Sequence, residues 1–409
     1  MAIVFPFKAI RPNTSFAAAV AAPPYDVLSS EEARTAATNN PHTFLHVTKS
    51  EIDMPTDLSI YDRSVYEKAK SNLHQLLEDG VLFKESTDCY YIYELVMEGR
   101  SQTGLVCCSS VDDYEQGIIK KHEFTRPEKE QDRINHISIT GAQTGNVFLA
   151  YRNVETLDIT INAFKQNNIP VYNFTATDGI HHRIWVVQHE ETISAISTVF
   201  ENEVPCTYIA DGHHRAASAA KVRSTTTGDS NTEADRFLTT LFPANELKIM
   251  SYNRVIKDLN EHSKEDFISA LQDDFTIATS DEAVDPKHLH EFGLYIDGQW
   301  YHLTSLEGTY TNDPIGVLDI TILSKNVFEK LLNIHDQRTD KRIDFVGGIR
   351  GLHELERRVD SGEMKLAFSF YPVTIEQLFD IADSGEVMPP KSTWFEPKLR
   401  DGLLTHMIR

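Results

Sequence analysis

Ile209-Ala210-Asp211-Gly212-His213-His214-Arg215 separates two runs of opposite character. Thr207 to Ala210 is short, mostly apolar and strand-like, whereas Ala216 to Arg223 is rich in alanine and reads as a helix. A strand–turn–helix unit is therefore expected, with a glycine at the turn, where the missing Cβ permits a tight bend and close approach of a ligand to the backbone. Unpaired N–H groups at the start of a helix favour an anion. Arg215 can fork two bonds to phosphate oxygens, and His213 and His214 can donate protons or hydrogen bonds. Asp211 can hold a metal ion or orient a hydroxyl. An ordinary solvent-facing helix start does not need two histidines, an arginine and an aspartate at one turn.

Composition sets the bounds around this unit. With 409 residues, 41% hydrophobic and 24% charged, the chain is long enough for two or three lobes with a large core and no disulfide staples. Cys89, Cys107, Cys108 and Cys206 form no C-x-x-C pair and no zinc-type spacing. They are expected as free thiols in a reducing compartment. No signal peptide and no apolar run of about 18 residues is seen, so the expected location is cytoplasmic, with no membrane partner. The net charge of -22, from 61 acidic against 39 basic residues, argues against a general nucleic-acid binder. It leaves room for a small anionic ligand at a locally basic pocket. A homo-oligomer is compatible with the sequence, which does not set the oligomeric state.

Along the chain, Val4 to Ile10 looks extended and Arg11-Pro12-Asn13 turns. Ala22-Pro23-Pro24-Tyr25-Asp26 is a stiff loop, and Ser29 or Ser30 caps a helix. Ser59 to Glu78 has helical spacing. Tyr90 to Tyr93 and Thr103 to Ser109 read as strands joined by a turn at Gly99-Arg100-Ser101. Further strands are expected at 145–151, 171–176, 181–188, 237–243 and 248–255, a hairpin at 294–303, and a polar loop at 224–232. Helices are expected at 192–203, 264–273, 321–332, 352–361 and 374–384.

Three other segments carry chemistry-bearing residues. In Lys121-His122-Glu123-Phe124-Thr125-Arg126-Pro127-Glu128-Lys129-Glu130-Gln131-Asp132-Arg133, Pro127 suits a first helical position. Lys129 and Arg133, four apart, share a face that suits an anion. Pro389-Pro390-Lys391-Ser392-Thr393 lacks the glycines of a P-loop, yet Lys391, Ser392 and Thr393 on a proline-stiffened turn, with Lys398 alongside, suit phosphate oxygens. Asp26 sits on the diproline loop, where a carboxylate suits a general base or a magnesium ligand. Glu123 is its rival as base. Arg254 follows a strand-like run and is a further pocket candidate. Phe345-Val346-Gly347-Gly348 has the pattern of an anion nest, although a plain strand-to-helix turn explains it as well.

The Asp-Gly-x-His-Arg pattern at 211–215 resembles the turn of the ParB/sulfiredoxin superfamily, whose members bind nucleotide or phosphate there. Phe7-Lys8-Ala9-Ile10-Arg11-Pro12-Asn13 resembles that superfamily's first strand and turn. Sulfiredoxins place a reactive cysteine after the glycine; here His213 stands at that position, so sulfinic-acid reduction is not implied. The chain resembles the DUF1015 family more closely, through Pro23-Pro24-Tyr25-Asp26, His122-Glu123 with Thr125, Asp211 to Arg215, and Pro389 to Thr393.

The resemblance implies a mixed α+β (α/β) fold. Its ParB/sulfiredoxin-like core would span 1–84 with 191–260, its β-rich insertion 85–190, and its C-terminal α/β portion 261–409, with a tail docking on the active site. It also implies a kinase making O-phospho-L-serine from free L-serine. The donor would be inorganic pyrophosphate, as in DUF1015-type enzymes, or ADP or ATP, as in free serine kinases. Mg²⁺ would be the cofactor, and Asp211 its ligand. Asp26, Glu123, Asp211, His213 and His214 would be catalytic. Phosphate or substrate would meet His122, Thr125, Lys129, Arg133, Arg215, Arg254, Lys391, Ser392, Thr393 and Lys398. Two other readings use the same cradle: a phosphoserine phosphatase, and a ParB-like nucleotide-binding regulator. The regulator calls for a basic recognition helix, and none is visible.

Overall fold

In the computed structural model, which describes residues 1–225 and 233–409, chain proximity divides the molecule into two units. One comprises residues 1–247 with 397–409, and the other residues 248–396. Each has its own sheet and helices, so the class is mixed α+β.

The first unit is built on nine strands: Val4–Phe5 (β1), Tyr90–Met97 (β2), Arg100–Ser110 (β3), Ile119–Lys120 (β4), Val147–Tyr151 (β5), Tyr172–Thr175 (β6), His181–Val187 (β7), Thr207–Asp211 (β8) and Arg236–Pro243 (β9). Their order is β4-β8-β5-β9-β3-β2-β7-β6, with β1 paired to β3. The β4–β8 and β5–β9 pairs are parallel and the other pairs antiparallel. Tyr90 to Tyr93 and Leu105 to Cys108 are fully buried, which explains why these strands read as continuous apolar runs: both faces of the sheet are covered. The β2–β3 turn is made by Glu98 (φ 51°) and Gly99 (φ 79°), the two positive φ values that a tight hairpin requires. It lies one residue earlier than expected, because Arg100 already pairs with Met97.

Among the described residues, six helices of eight residues or more accompany this sheet: Ser30–Ala37 (α1), Arg63–Glu78 (α2), Pro127–Thr140 (α3), Glu155–Asn167 (α4), Glu190–Glu203 (α5) and His213–Thr225 (α6). Ser29 and Glu32 form a reciprocal cap on α1. Pro127 opens α3 and Gly141, at φ 71°, ends it. One core cluster joins Ile92, Leu105, Leu149 and Ile209 of the sheet to Leu157 of α4, Phe200 of α5 and Ala216 of α6. The small residues of α6 let α3 come close: Ser218 of α6 donates its hydroxyl to the Glu130 carbonyl of α3.

Strands from 85–190 and from 191–247 alternate in this one sheet: β8 lies between β4 and β5, and β9 between β5 and β3. The expected boundaries at 84 and 190 therefore do not mark breaks in the hydrogen bonding. Local periodicity reveals a strand but not its partner. The last segment also returns to this unit. Thr405 bridges to Ile10, Asp401 to Ala22, and His406–Met407 pairs with Ala142–Gln143.

The main sheet of the second unit has six antiparallel strands: Tyr252–Ile256 (β10), Phe275–Ser280 (β11), Glu291–Ile296 (β12), Gln299–Ser305 (β13), Ile343–Gly347 (β14) and Leu366–Phe370 (β15). Their order is β11-β13-β12-β15-β10-β14. The helix expected over 321–332 is a short α-helix, Asp319–Leu323, continued by a π-helical turn at Ser324–Glu329. The tail is pinned where Trp394–Phe395 pairs with Ile249–Met250. Of the polar loop expected at 224–232, residues 224 and 225 end α6, and 226–232 lie outside the described residues. Among the described residues no helix is long and apolar enough to cross a membrane.

Gly104 of β3 lies opposite the buried Phe242, and a Cβ there would sit 2.7 Å from that ring. Gly104→Ala is expected to destabilise the first unit by about 1–3 kcal/mol, as overpacking does. Chemical denaturation measures this, and an unchanged midpoint would contradict the packing.

Candidate functional site

The strand–turn–helix unit forms as its sequence requires. The pairing of β8 with β5 slips between Ile209 and Asp211, a local irregularity of the kind that re-aims a strand-end side chain. Gly212 adopts φ 101°, and a Cβ on it would come within 3.0 Å of the Arg215 guanidinium. Glycine is thus required twice over, for conformation and for space. Helix α6 then starts at His213.

Asp211 is held between two cations. Lys398 Nζ donates to Oδ2 at 3.0 Å, and an Arg215 Nη2 donor meets Oδ1 at 3.4 Å. Burial by itself would push this carboxyl up, but Lys398 and Arg215 outweigh it and hold the group well below the usual carboxylate range. Asp211 is therefore ionised at neutral pH. Arg215 also donates to the Asn146 carbonyl, which fixes its guanidinium beside β5.

The two histidines act on the neighbouring loop. His213 is buried; its Nε2 accepts the His122 N–H at 3.4 Å, and its Nδ1 lies 3.9 Å from the Glu123 carboxylate. His214 Nε2 accepts the Arg126 N–H at 2.9 Å. Both ends of the 122–126 loop are thus tied to the first turn of α6. The His122 and His213 rings meet edge to face, with centroids 4.5 Å apart. Burial pushes His122 down to about 4. Burial, reinforced by His122, pushes His213 well below its ordinary value. Both imidazoles are neutral at pH 7, so the positive charge here comes from Lys398 and Arg215.

The remaining residues of the loop and of α3 take separate partners. Thr125 donates to Glu130 at 2.8 Å, within the start of α3. Lys129 reaches the Tyr61 hydroxyl at 3.3 Å. Arg133, expected on the same face as Lys129, instead lies buried over the Tyr25 ring at 3.9 Å and pairs with Asp132. Asp26 follows Tyr25 on an exposed turn, and its charge acts on Arg215 and Asp401. Tyr25, Arg133, His136, Gln143, Arg215 and Asp401 line one cleft. Asp401, Asn146 and Asp132 were not singled out from the sequence. Asp401 sits in no motif, and only the return of the closing segment brings it here.

Arg254, Lys391, Ser392 and Thr393 belong to the second unit. The Arg254 guanidinium is buried; it donates to the carbonyls of Pro390 and Lys391 at 3.1 and 3.0 Å and to Gln337. Burial brings it down to about 9. It braces the turn on which Lys391 adopts φ 58° and Ser392 bonds to the Pro389 carbonyl. The Gly347-Gly348 nest is already filled: Trp394 packs on Gly347, and the Gly348 N–H donates to Ser251. Among the described residues no group of three or more His, Cys, Asp or Glu is placed to hold a metal ion. A magnesium ion at Asp211 would therefore have one protein carboxylate, which suits an ion that takes its other ligands from water and phosphate oxygens.

Comparison with known proteins gives the following. The profile described as "Protein of unknown function (DUF1015)" matches residues 4–321, a span that includes the Asp26, His122 and Asp211 segments but not Pro389 to Thr393. No curated protein matches. A variant of a free serine kinase in complex with AMP is 14% identical, with a TM-score of 0.37 over 73% of this chain and 92% of that one. A conserved hypothetical protein from Pyrococcus furiosus is 17% identical, with a TM-score of 0.36 over 73% and 93%. C-terminally truncated SbnI from Staphylococcus aureus is 9% identical, with a TM-score of 0.37 over 73% and 86%. Likenesses this distant assign neither a shared fold nor an activity.

Two outcomes check this electrostatic picture. In Lys398→Met the Asp211 carboxyl is expected to rise toward its ordinary range, read by carbon NMR titration; an unmoved Asp211 would contradict the pair. In nitrogen NMR, His122 and His136, which burial also pushes down to about 4, are expected to stay neutral at pH 5, where exposed histidines are protonated. Their folded values lie below the ordinary 6.5, so the stability they contribute is complete above pH 6.5 and declines as the pH falls toward 4. Protonation of His122 near pH 6.5 would contradict its burial.

Proposed function

This chain belongs to the DUF1015 family, and from that premise we propose that it phosphorylates free L-serine to O-phospho-L-serine with inorganic pyrophosphate as donor. The observation that carries the reading is the ionised Asp211 carboxylate, clamped between Lys398 and Arg215 at the first turn of α6. Charges of both signs in one place suit a reaction in which anionic oxygens must be gripped and a cation recruited. The amino-acid substrate and the donor rest on the motif resemblance.

In this reading the serine hydroxyl oxygen attacks one phosphorus of pyrophosphate, the bridging P–O bond breaks, and inorganic phosphate leaves. The hydroxyl proton passes to a carboxylate, either Asp26 on its exposed turn or Glu123 beside His213. Lys398, Arg215 and the N-terminus of α6 hold donor oxygens. His213, held neutral by burial, and His214, bonded to the Arg126 N–H, keep the 122–126 loop against the turn. Mg²⁺, held by Asp211 together with donor oxygens, would neutralise charge on the donor. Positioning by several loops supplies much of the rate in such a transfer.

Phosphorus NMR of the protein with L-serine, Mg²⁺ and, in separate samples, pyrophosphate, ATP and ADP tests the proposal. A phosphoserine resonance is expected with pyrophosphate. If it grows only with a nucleotide, the donor assignment is wrong and the kinase stands. If no donor yields it, or if added phosphoserine is only hydrolysed, the kinase reading fails. Asp211→Asn and His214→Ala, with folding intact, are each expected to lower the rate about a hundredfold or more, the scale for removing a preorganised group.

A further inference from the structure

Two prolines interrupt the hydrogen bonding of the loop that carries Asp26. Pro23 and Pro24 have no N–H, so the first donor after Ala22 is Tyr25. One residue, Asp401, holds both ends of this gap. Its backbone pairs with Ala22 in both directions, donating at 2.9 Å and accepting at 3.1 Å. Its buried carboxyl accepts the Tyr25 N–H. Beside it, Gly402 adopts φ 86° and packs so close to Phe44 that a Cβ would lie 2.5 Å from that side chain, which leaves the segment no room to shift. Backbone pairing with Ala22 needs no particular side chain, and burying a carboxyl is costly. What the carboxyl adds is the bond to Tyr25.

The Tyr25 side chain is held from another direction. Arg133 lies over its ring at 3.9 Å. That guanidinium is fixed by two bonds to Asp132, at 3.1 and 2.8 Å, and Asp132 in turn accepts the Tyr66 hydroxyl at 2.9 Å. Asp26 then stands inside a turn closed by the Val27 N–H on the Pro24 carbonyl at 3.2 Å. Its side chain is exposed, yet its charge is felt by Arg215 and by Asp401. A carboxylate on a surface turn ordinarily samples many positions. Here the residue before it is fixed through its backbone and its ring together. Such fixing is what a proton acceptor needs, because its distance to the proton decides whether it works.

We propose that Asp401 is a positioning residue for Asp26: its carboxyl fixes the Tyr25 N–H, Arg133 fixes the Tyr25 ring, and Asp26 is thereby held within electrostatic reach of Arg215 as the carboxylate that takes the hydroxyl proton. This assigns the base to Asp26 rather than Glu123. The placement follows from the contacts alone. Its use as a proton acceptor rests on the phosphotransfer reading.

Amide hydrogen exchange of the full chain, read residue by residue by NMR, tests the placement. In folded Asp401→Ala the Tyr25 amide is expected to exchange about tenfold faster, the scale of one lost hydrogen bond, while the Ala22 amide, bonded to the Asp401 backbone, keeps its protection. Asp401→Asn, whose side-chain carbonyl still accepts, is expected to restore the Tyr25 amide. Tyr25→Leu, which loses the stack on Arg133 but keeps its N–H, is expected to speed exchange at Val27, and Tyr25→Phe is not. In the phosphoserine assay Asp401→Ala is expected to lower kcat about a hundredfold, the scale for a misplaced group, with KM for pyrophosphate nearly unchanged and Asp401→Asn recovering most of the rate. An unchanged Tyr25 amide in Asp401→Ala, loss of Ala22 protection together with it, or an unchanged Val27 amide in Tyr25→Leu overturns the proposal. If the amides behave as expected but no donor yields phosphoserine, the kinase reading fails and the placement of Asp26 stands. If Asp401→Ala forms phosphoserine with an unchanged kcat, this proposal fails and the kinase reading stands.

Discussion

The ion pair between Lys398 and Asp211 joins the end of β8 to a segment far along the chain. Asp211 is only partly buried, and Lys398 and Arg215, which surround it, hold it ionised. Lys398 stands where it does because the residues after it are hydrogen-bonded to Ala22, Ile10, Gln143 and Ala142. The charge state of the turn thus depends on a backbone clasp made elsewhere in the same unit. Removing Lys398 would leave Arg215 with both tasks, neutralising Asp211 and holding any bound anion.

The division of labour among the polar groups follows from burial. Permanent charge is carried by arginine, lysine and a carboxylate they stabilise. His122 and His213, dehydrated and crowded against one another, are held neutral, and His213 and His214 serve as acceptors for backbone N–H groups. This arrangement fixes the 122–126 loop without adding charge that would compete for the same anion. Gly212 leaves room for Arg215, on which a side chain there would press.

Much of this was legible in the sequence where the signal is local. The Ile209 to Arg215 turn, the Ser29 cap, Pro127 at the start of α3 and the continuous apolar run of β2 each rest on neighbours within a few residues. Pairing was not legible, because strands from 85–190 and from 191–247 interleave, and no periodicity records which strand lies beside which. Arg133 departs from the expected shared face with Lys129 because Tyr25 and Asp132 draw it into the interior. Arg254 looked like a pocket residue, yet its donors hold the Pro390 and Lys391 carbonyls. Asp401 had no signal at all: a single aspartate between Arg400 and Gly402 becomes distinctive only when its surroundings are known.

The clasp also orders events in time. Ile10 and Ala22 are synthesised several hundred residues before Thr405 and Asp401, which hold the backbone groups they bond to. At a synthesis rate of about 5–20 residues per second, the early segment waits on the order of tens of seconds for its partners. In the finished fold this segment's Val20 and Phe44 are fully covered, Phe44 lying against Gly402. A premature stop shortly before residue 398 would yield a polypeptide that has its large sheet but lacks the charge balance at its central turn.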